Sequence, residues 1–598
     1  MKNHILLFSL IFALSVVSCS DQNSAPETFK ETSYSTPEWA KGILWYQIFP
    51  ERFRDGDTSN SPTAERIGAP DNWELSPWTG DWYQRADWEQ RMGAHYRDFI
   101  FYRRYGGDLQ GVIDKLDYLQ ELGVGGIYFN PIFDAVSLHK YDASHFHHID
   151  RYFGPDPEGD AAIMAQEDPS DPSTWQWTSA DKLFLELIQE ARKRDIRIII
   201  DGVWNHAGRD FWAFRDIQQN GINSRFKDWY KIIEFSDEFD DGFDYEGWWG
   251  YKGLPEFTEV GENLHQDVKE HIFHVTRRWM APDGDVSRGV DGWRLDVVEE
   301  VGNEFWREWH ALVREINPDS YTVAEIWTEQ AEHFISDDLF DAVMNYRFAY
   351  AVKEFMIDGW IDAEEFGRRL DQVRFSYPEE ANFVMQNLMD SHDTPRIASM
   401  VLNPGLHYDR DAQPADGYIL RKPNSDEREI QKLIHIFQYT WIGSPMIYYG
   451  TESGMWGADD PHDRKPMVWE DLNYDAEINH PFGQRREPDD QNFDRELHSF
   501  FVQLGQIRNE NDVLRTGDYI QLHANSRNQT FAFGRYQGDE WVIALFNRSE
   551  EEQTVTLALP EWFSRKEQVR DLISGENFRM DGDQITLNIG SVSAMILK

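Results

Sequence analysis

Four short segments of this sequence place residues suited to proton or group transfer at the ends of apolar runs. Gly292-Trp293-Arg294-Leu295-Asp296 is one, Ala324-Glu325-Ile326-Trp327 the second and Ser391-His392-Asp393-Thr394 the third, while Asp201-Gly202-Val203-Trp204-Asn205-His206 lies upstream. Residues two apart in a strand share a face, so Arg294 and Asp296 point the same way. A guanidinium beside a carboxylate holds it ionised, as a nucleophile must be, although a structural ion pair reads the same. Glu325 follows the apolar Tyr321 and Val323, and partial desolvation raises a carboxyl toward the range of a general acid. Trp327 then supplies an aromatic wall beside it. Each segment alone is weak, because acids at strand ends are common. Four in succession, two with a neighbouring histidine, point to one polar catalytic cluster.

Such a cluster needs a fold that gathers strand ends. β-like apolar runs occur at 43–48, 126–129, 196–203, 290–296, 322–326, 342–346, 383–389 and 445–449, with helical patterns such as 112–121 and 183–194 between them. Alternation of this kind predicts an α/β protein, and eight parallel strands predict a (β/α)8 TIM barrel with its chemistry at the C-terminal strand ends. Three connections are unusually long. Residues 55–105 carry Trp73, Trp78, Trp82 and Trp88, residues 207–265 carry Trp248-Trp249, and residues 404–430 are rich in Asp and Pro. Long insertions at that end of a barrel are expected to build a substrate cleft. The expected organisation is a signal peptide at 1–18, a tether at 19–39, the first part of the barrel at 40–206, and an inserted domain after the third strand at 207–265. The rest of the barrel follows at 266–511, then a C-terminal antiparallel β-sandwich at 512–598, with strands at 530–535, 540–546, 553–559 and 584–588.

The four segments, in this order and spacing, resemble the conserved regions of the α-amylase superfamily (glycoside hydrolase family 13). The resemblance implies that Asp296 is the nucleophile, Glu325 the general acid/base and Asp393 the third acid, which holds hydroxyls of the sugar being cleaved. It places Arg294, His206 and His392 around that sugar and stacks Tyr141, of His139-Lys140-Tyr141-Asp142, against it; Asp201 and Asn205 support the site. Retention of configuration needs carboxyl groups roughly 5–5.5 Å apart, which adjacent strands can provide. Within the superfamily the sequence is most similar to the neopullulanase, cyclomaltodextrinase and maltogenic amylase group. The carriers are Trp45-Tyr46-Gln47-Ile48-Phe49-Pro50-Glu51-Arg52-Phe53, Gly106-Gly107-Asp108-Leu109-Gln110-Gly111, the Tyr141 segment, and Asp460-Pro461-His462-Asp463-Arg464-Lys465-Pro466, which adds Asp460 and Arg464 to the substrate-binding set. It departs from the group at Leu254-Pro255-Glu256-Phe257 and at Thr328, and the barrel pattern begins without the group's extra N-terminal domain.

Asp55, Asp57 and Asn60 alternate in a tight Asp-Gly-Asp-Thr-Ser-Asn loop, a spacing that suits calcium. In relatives a later Gly-Gly-Asp completes such a site, which implies Gly106 and Asp108 here. No redox or phosphate-transfer cofactor is implied.

With 58 Lys+Arg against 106 Asp+Glu, the net charge of −48 repels nucleic acid and anionic lipid. At the N-terminus Lys2 precedes an apolar stretch at 5–17 followed by Val16-Val17-Ser18-Cys19, which resembles a bacterial lipoprotein cleavage box with lipidation on Cys19. Cys19 is the sole cysteine, so no intrachain disulfide can form. The expected protein is therefore exported, held at the cell envelope only by its lipid, and acts on an α-glucan. Three readings stand: a hydrolase of α-1,4 links with α-1,6 links open, a transglycosylase or exo-acting α-glucosidase, and a non-catalytic glycan-binding lipoprotein. The third is disfavoured because all three acids are present.

Overall fold

All eight apolar runs become strands in the computed structural model, which describes residue 29 and residues 34–563 and 566–598. They are β1 (Leu44–Ile48), β2 (Val124–Phe129), β3 (Arg197–Gly202), β4 (Gly292–Leu295), β5 (Tyr321–Ala324), β6 (Ala342–Val343), β7 (Gln386–Leu388) and β8 (Ser444–Tyr448). They form one parallel sheet in the order β6-β5-β4-β3-β2-β1-β8-β7. A bridge between Met344 and Gln386 closes the ring between β6 and β7. Each strand is buried throughout or nearly so, as a sheet covered on both faces requires.

Several runs outlast their strands. The 342–346 run yields two ladder residues before a helix starts at Tyr346, and 380–383 forms a helical turn ahead of β7. Apolarity there reports burial, which continues past the ladder hydrogen bonds. The 112–121 pattern becomes two helices, α1 (Leu109–Asp114) and α2 (Leu116–Glu121), because the chain departs from helical geometry at Lys115 (φ −110°, ψ 7°). Between β2 and β3 lie α3 (Pro157–Met164) and α4 (Ser179–Arg192). The latter starts before the apolar pattern because Thr178 and Asp181 form a capping box.

Residues 518–598 form the sandwich. Strands β9 (Asp518–Asn525), β10 (Thr530–Gln537), β11 (Glu540–Asn547) and β14 (Ser593–Leu597) make one antiparallel sheet, and β12 (Gln553–Ala558) pairs with β13 (Gln584–Ile589). Alternation along β10 and β11 divides the residues cleanly. Phe531, Phe533, Ala544 and Phe546 join the barrel core, while Ala532, Trp541, Ile543 and Leu545 pack with β12 and β13. The sheet thus glues sandwich to barrel through one face and closes its own core with the other.

The tether expected to run to residue 39 ends sooner. Tyr34 is buried and its hydroxyl donates to the backbone carbonyls of Phe340 and Asp341, just ahead of β6. Trp39 donates through Nε1 to the carbonyl of Asp319 at 2.7 Å. Two aromatic side chains with polar tips, set in an otherwise polar stretch, dock it on the N-terminal end of the barrel. Cys19 and the 1–18 segment lie outside the described residues. Among the described residues, no helix is long and apolar enough to cross a membrane.

The Trp-rich insertion is largely packing. Trp82, Trp88, Tyr96, Phe99 and Tyr105 form a separate apolar cluster with Tyr418 and Leu420, so the first and third long loops support each other.

Candidate active site

Strand register brings the acids level. Leu295 pairs with Gly202 on one side and Ala324 on the other, so Asp201, Asp296 and Glu325 end three neighbouring strands. The ladder runs one step further through Asp296 N–H to the Gly202 carbonyl (3.1 Å) and Glu325 N–H to the Leu295 carbonyl (3.0 Å). Both acids are therefore held by backbone just past the last ladder residue.

Arg294 occupies the centre and is fully buried. One terminal nitrogen lies 2.8 Å from Asp296 Oδ1 and 2.9 Å from Asp201 Oδ1, and the other lies 2.8 Å from Glu325 Oε2. The one-to-one Arg294–Asp296 pair expected from sequence is thus a single guanidinium shared by three carboxylates. Sequence spacing revealed the same-strand partner but not the two supplied by neighbouring strands. Burial pushes the Asp296 carboxyl well above its usual value, Arg294 opposes that, and Glu325 and Asp201 add to it. Asp201 is likewise raised, by burial above all, with Arg294 opposing. Tyr128 and Tyr141 donate to Asp201 Oδ2 at 2.7 and 3.1 Å, which fixes its orientation.

Trp327 does more than form a wall. Its Nε1–H donates to Glu325 Oε1 at 3.0 Å, and its ring stacks on Tyr346 with centroids 3.8 Å apart. The other oxygen of Glu325 accepts from the Val297 N–H at 3.2 Å.

Asp393 stands across the cleft. Oδ1 is 3.1 Å from Arg464 and Oδ2 is 3.1 Å from His392 Nε2. Burial, opposed by Arg464 and reinforced by Glu325, lifts its carboxyl to about 7. Arg464 also pairs with Asp460 at 3.0 Å and donates to the His392 carbonyl at 2.7 Å. It therefore positions Asp393, and Asp460 acts through it. His392 bonds to Gln47 through Nδ1 (3.0 Å) and to the Tyr141 hydroxyl through Nε2 (2.6 Å), and burial keeps it neutral. His206 holds Asn205 through Nδ1 at 3.1 Å, while its Nε2 is buried without a hydrogen-bond partner. Burial drives its basicity down to about 3. All ten expected catalytic and substrate-binding residues therefore gather at one end of the barrel. Sequence reading missed Gln47, Tyr128, Asn130 and Tyr346. Gln47 also donates to Asn130 (3.0 Å), whose amide reaches the Tyr141 hydroxyl (3.4 Å). For Gln47 and Tyr128 the signal was a polar residue or tyrosine inside a buried strand, which apolar-run counting ignores; Asn130 just after β2 and Tyr346 at a helix start gave none.

A family model described as the alpha amylase catalytic domain matches residues 47–166 and 178–517. The chain belongs to the alpha-amylase family. Neopullulanase 2 of Thermoactinomyces vulgaris is 36% identical over 564 residues, covering 94% of this chain and 79% of that protein. A cyclomaltodextrinase of Geobacillus thermopakistaniensis is 32% identical, covering 93% of this chain and 76% of that one. A solved cyclomaltodextrinase superposes with a TM-score of 0.71 at 30% identity, covering 94% of this chain and 79% of that chain. The cyclic alpha-maltosyl-(1→6)-maltose hydrolase of Arthrobacter globiformis, in complex with its substrate, gives 0.69 at 25%, covering 94% and 100%. This alpha-amylase family chain is accordingly a glycoside hydrolase whose relatives act on α-glucans.

The expected cation ligands divide. Asp108 caps α1, and both its oxygens are taken: Oδ1 accepts from Gly56 and Gly111 N–H, Oδ2 from Asp57 N–H and Asn60 Nδ2. Asp57 Oδ1 is turned onto Ser59. These two carboxylates shape the loop, because a short Asx-rich turn consumes its own acceptors. Asp55 Oδ1, Asn60 Oδ1 and Ser61 Oγ remain buried without hydrogen bonds. Gly106, at φ +83°, passes so close that a Cβ would meet Ser61 Oγ at 3.1 Å and Asp55 Oδ2 at 3.4 Å. Three orphaned oxygens and a glycine approach fit a hard, oxygen-seeking cation.

Proposed function

We propose that this enzyme hydrolyses α-1,4-glucosidic bonds of maltooligosaccharides and related α-glucans with retention of configuration. The observation that supports this is the single Arg294 guanidinium shared by Asp296 and Glu325 on adjacent strand ends. One cation cannot neutralise Asp201, Asp296 and Glu325 together, so the cluster binds a proton most cheaply as one acid beside two carboxylates. In the reaction Glu325, beside Trp327, delivers a proton to the departing glycosidic oxygen. Asp296 attacks the anomeric carbon, the C–O bond to the leaving sugar breaks, and a covalent glycosyl ester forms. Glu325, now ionised, takes a proton from water as the water displaces Asp296. Asp393 and His392 bind hydroxyls of the reacting sugar, Tyr141 stacks on its face, and Trp248-Trp249 extends the aromatic surface beyond His206. Trp249 is 81% exposed and adopts φ +48°, a conformation a bulky residue takes only where its surroundings impose it.

Asp296→Asn preserves the shape but removes the attacking charge, so turnover on maltooligosaccharides falls by several orders of magnitude. Near-normal turnover by folded Asp296→Asn would overturn the reading. For wild type, anomer-resolved NMR of the first product should show the α form; the β form would exclude retention.

A structural calcium ion would be held by Asp55, Asn60, Ser61 and the Gly106 carbonyl, joining the loop after β1 to the start of α1. It supplies stability and takes no part in the chemistry. The lipid anchor on Cys19 is likewise a proposal, resting on the cleavage box.

A further inference from the structure

A second polar cluster lies in the loop following β2, behind the residues that present Tyr141. His147 and His148 are both fully buried, and the side chain of Glu167, which follows α3, is 1% exposed. Glu167 Oε2 is 2.8 Å from His148 Nε2 and 3.5 Å from His147 Nε2. One nitrogen of each histidine and this oxygen all lie within 4.8 Å of one another, and among the described residues no other group of three or more His, Cys, Asp or Glu does so. Ligands of one tetrahedral zinc, at bond lengths of about 2.0–2.1 Å, stand roughly 3.4 Å apart.

Two independent features point to an ion rather than to ordinary packing. Neither ring nitrogen of His147 makes a hydrogen bond, a costly condition for a fully buried imidazole. The ring is nevertheless locked, stacked on Trp175 with centroids 4.2 Å apart and planes at 11°. The other feature is the set of partners on the far side of the ligands. Asp181, in the first turn of α4, lies 2.9 Å from His148 Nδ1, leaving Nε2 to face Glu167. A carboxylate on the distal nitrogen is the usual outer partner of a metal-bound histidine. The remaining oxygen of Glu167 accepts from the Gln176 N–H, so the carboxylate is held at both ends.

We propose that His147, His148 and Glu167 form a structural site for zinc or a similar borderline divalent ion. Two imidazoles and one carboxylate suit that class and not calcium, which takes oxygen donors. The ion fastens the β2 loop, six residues beyond Tyr141, to the segment between α3 and α4, and so steadies the tyrosine in the site.

The test uses tag-free full-length enzyme produced in zinc-supplemented medium and dialysed against metal-free buffer. Mass-spectrometric metal analysis should find one zinc per chain, and adding zinc to chelator-treated enzyme should raise its melting temperature. His147→Phe, which fills the same space, and Glu167→Gln, which keeps polar contacts, should each lose the bound zinc and the zinc-dependent rise while retaining their circular dichroism. Wild type without stoichiometric zinc and without a thermal response overturns the proposal. Equal zinc retention by both folded variants overturns it too, because the metal then sits elsewhere. Should His147→Phe fail to fold, Glu167→Gln alone decides.

Discussion

The backbone N–H of Val297 donates to Glu325 Oε2 at 3.2 Å, and Val297 does so from left-handed geometry, φ +40° and ψ +49°. A β-branched residue pays for that conformation, on the order of 1–3 kcal/mol, and such strain gathers at sites where position matters. Here the strained residue directly follows Asp296, so one backbone kink sets the spacing between the two acids.

Val297→Gly should relieve the strain and free the kink. The melting temperature should hold or rise, while kcat falls by about tenfold to a hundredfold as Glu325 loses its fixed donor. Melting curves and steady-state kinetics on maltotriose check both halves. Unchanged kcat together with a lower melting temperature would show that the kink serves folding and not catalysis.

Glu325→Gln separates proton donation from nucleophilic attack. Sugars need a protonated leaving oxygen and should react very poorly, whereas α-glucosyl fluoride departs unaided and still esterifies Asp296. Mass spectrometry should reveal the adduct, and azide should rescue turnover. Equal loss on both substrates, with no adduct and no rescue, moves the acid/base role to Asp393.

Asp393 predicts a pH dependence of stability. Its folded value of about 7 exceeds the unfolded carboxyl value of about 3.9, so between the two the native state holds a proton that the unfolded chain has released. Its stabilising contribution is present in full below the lower value and is lost as pH climbs through the upper one. Asp393→Asn should therefore melt higher than wild type at pH 8, with the gap closing toward pH 4. Parallel melting curves for the two proteins across that range would refute the assignment.

Excess chelator should lower the melting temperature of wild type, and calcium should restore it. Asp55, lifted to about 6 by burial and by Asp108 and Asp57 when no cation is bound, is the ligand whose loss matters most. Asp55→Ala should remove the recovery brought by calcium, and Asp57→Ala should leave much of it. A melting curve indifferent to chelator in wild type would end the calcium proposal.

Apolar runs in the sequence fall on all eight barrel strands, their count resting on the strand-end motifs. Alternation falls on strands of the C-terminal sheets that begin at residue 518, because periodic burial is a local property of the chain. The sequence also revealed that Arg294 and Asp296 share a face, since two residues on one strand settle that between themselves. Only the tertiary structure decided that Arg294 answers to Asp201 and Glu325 as well, because register between strands far apart in sequence is set by barrel closure. The same holds for His392, held by Gln47 from β1 and Tyr141 from the β2 loop. In the D-G-D loop, too, the tertiary contacts add what spacing lacks. Spacing suggested Asp57 and the family resemblance Asp108, but hydrogen bonds engage Asp57 Oδ1 and both oxygens of Asp108, while buried oxygens of Asp55, Asn60 and Ser61 lack hydrogen bonds. Residue type along a chain tells which groups exist; what each one touches depends on how neighbouring strands and loops satisfy their buried polar atoms together.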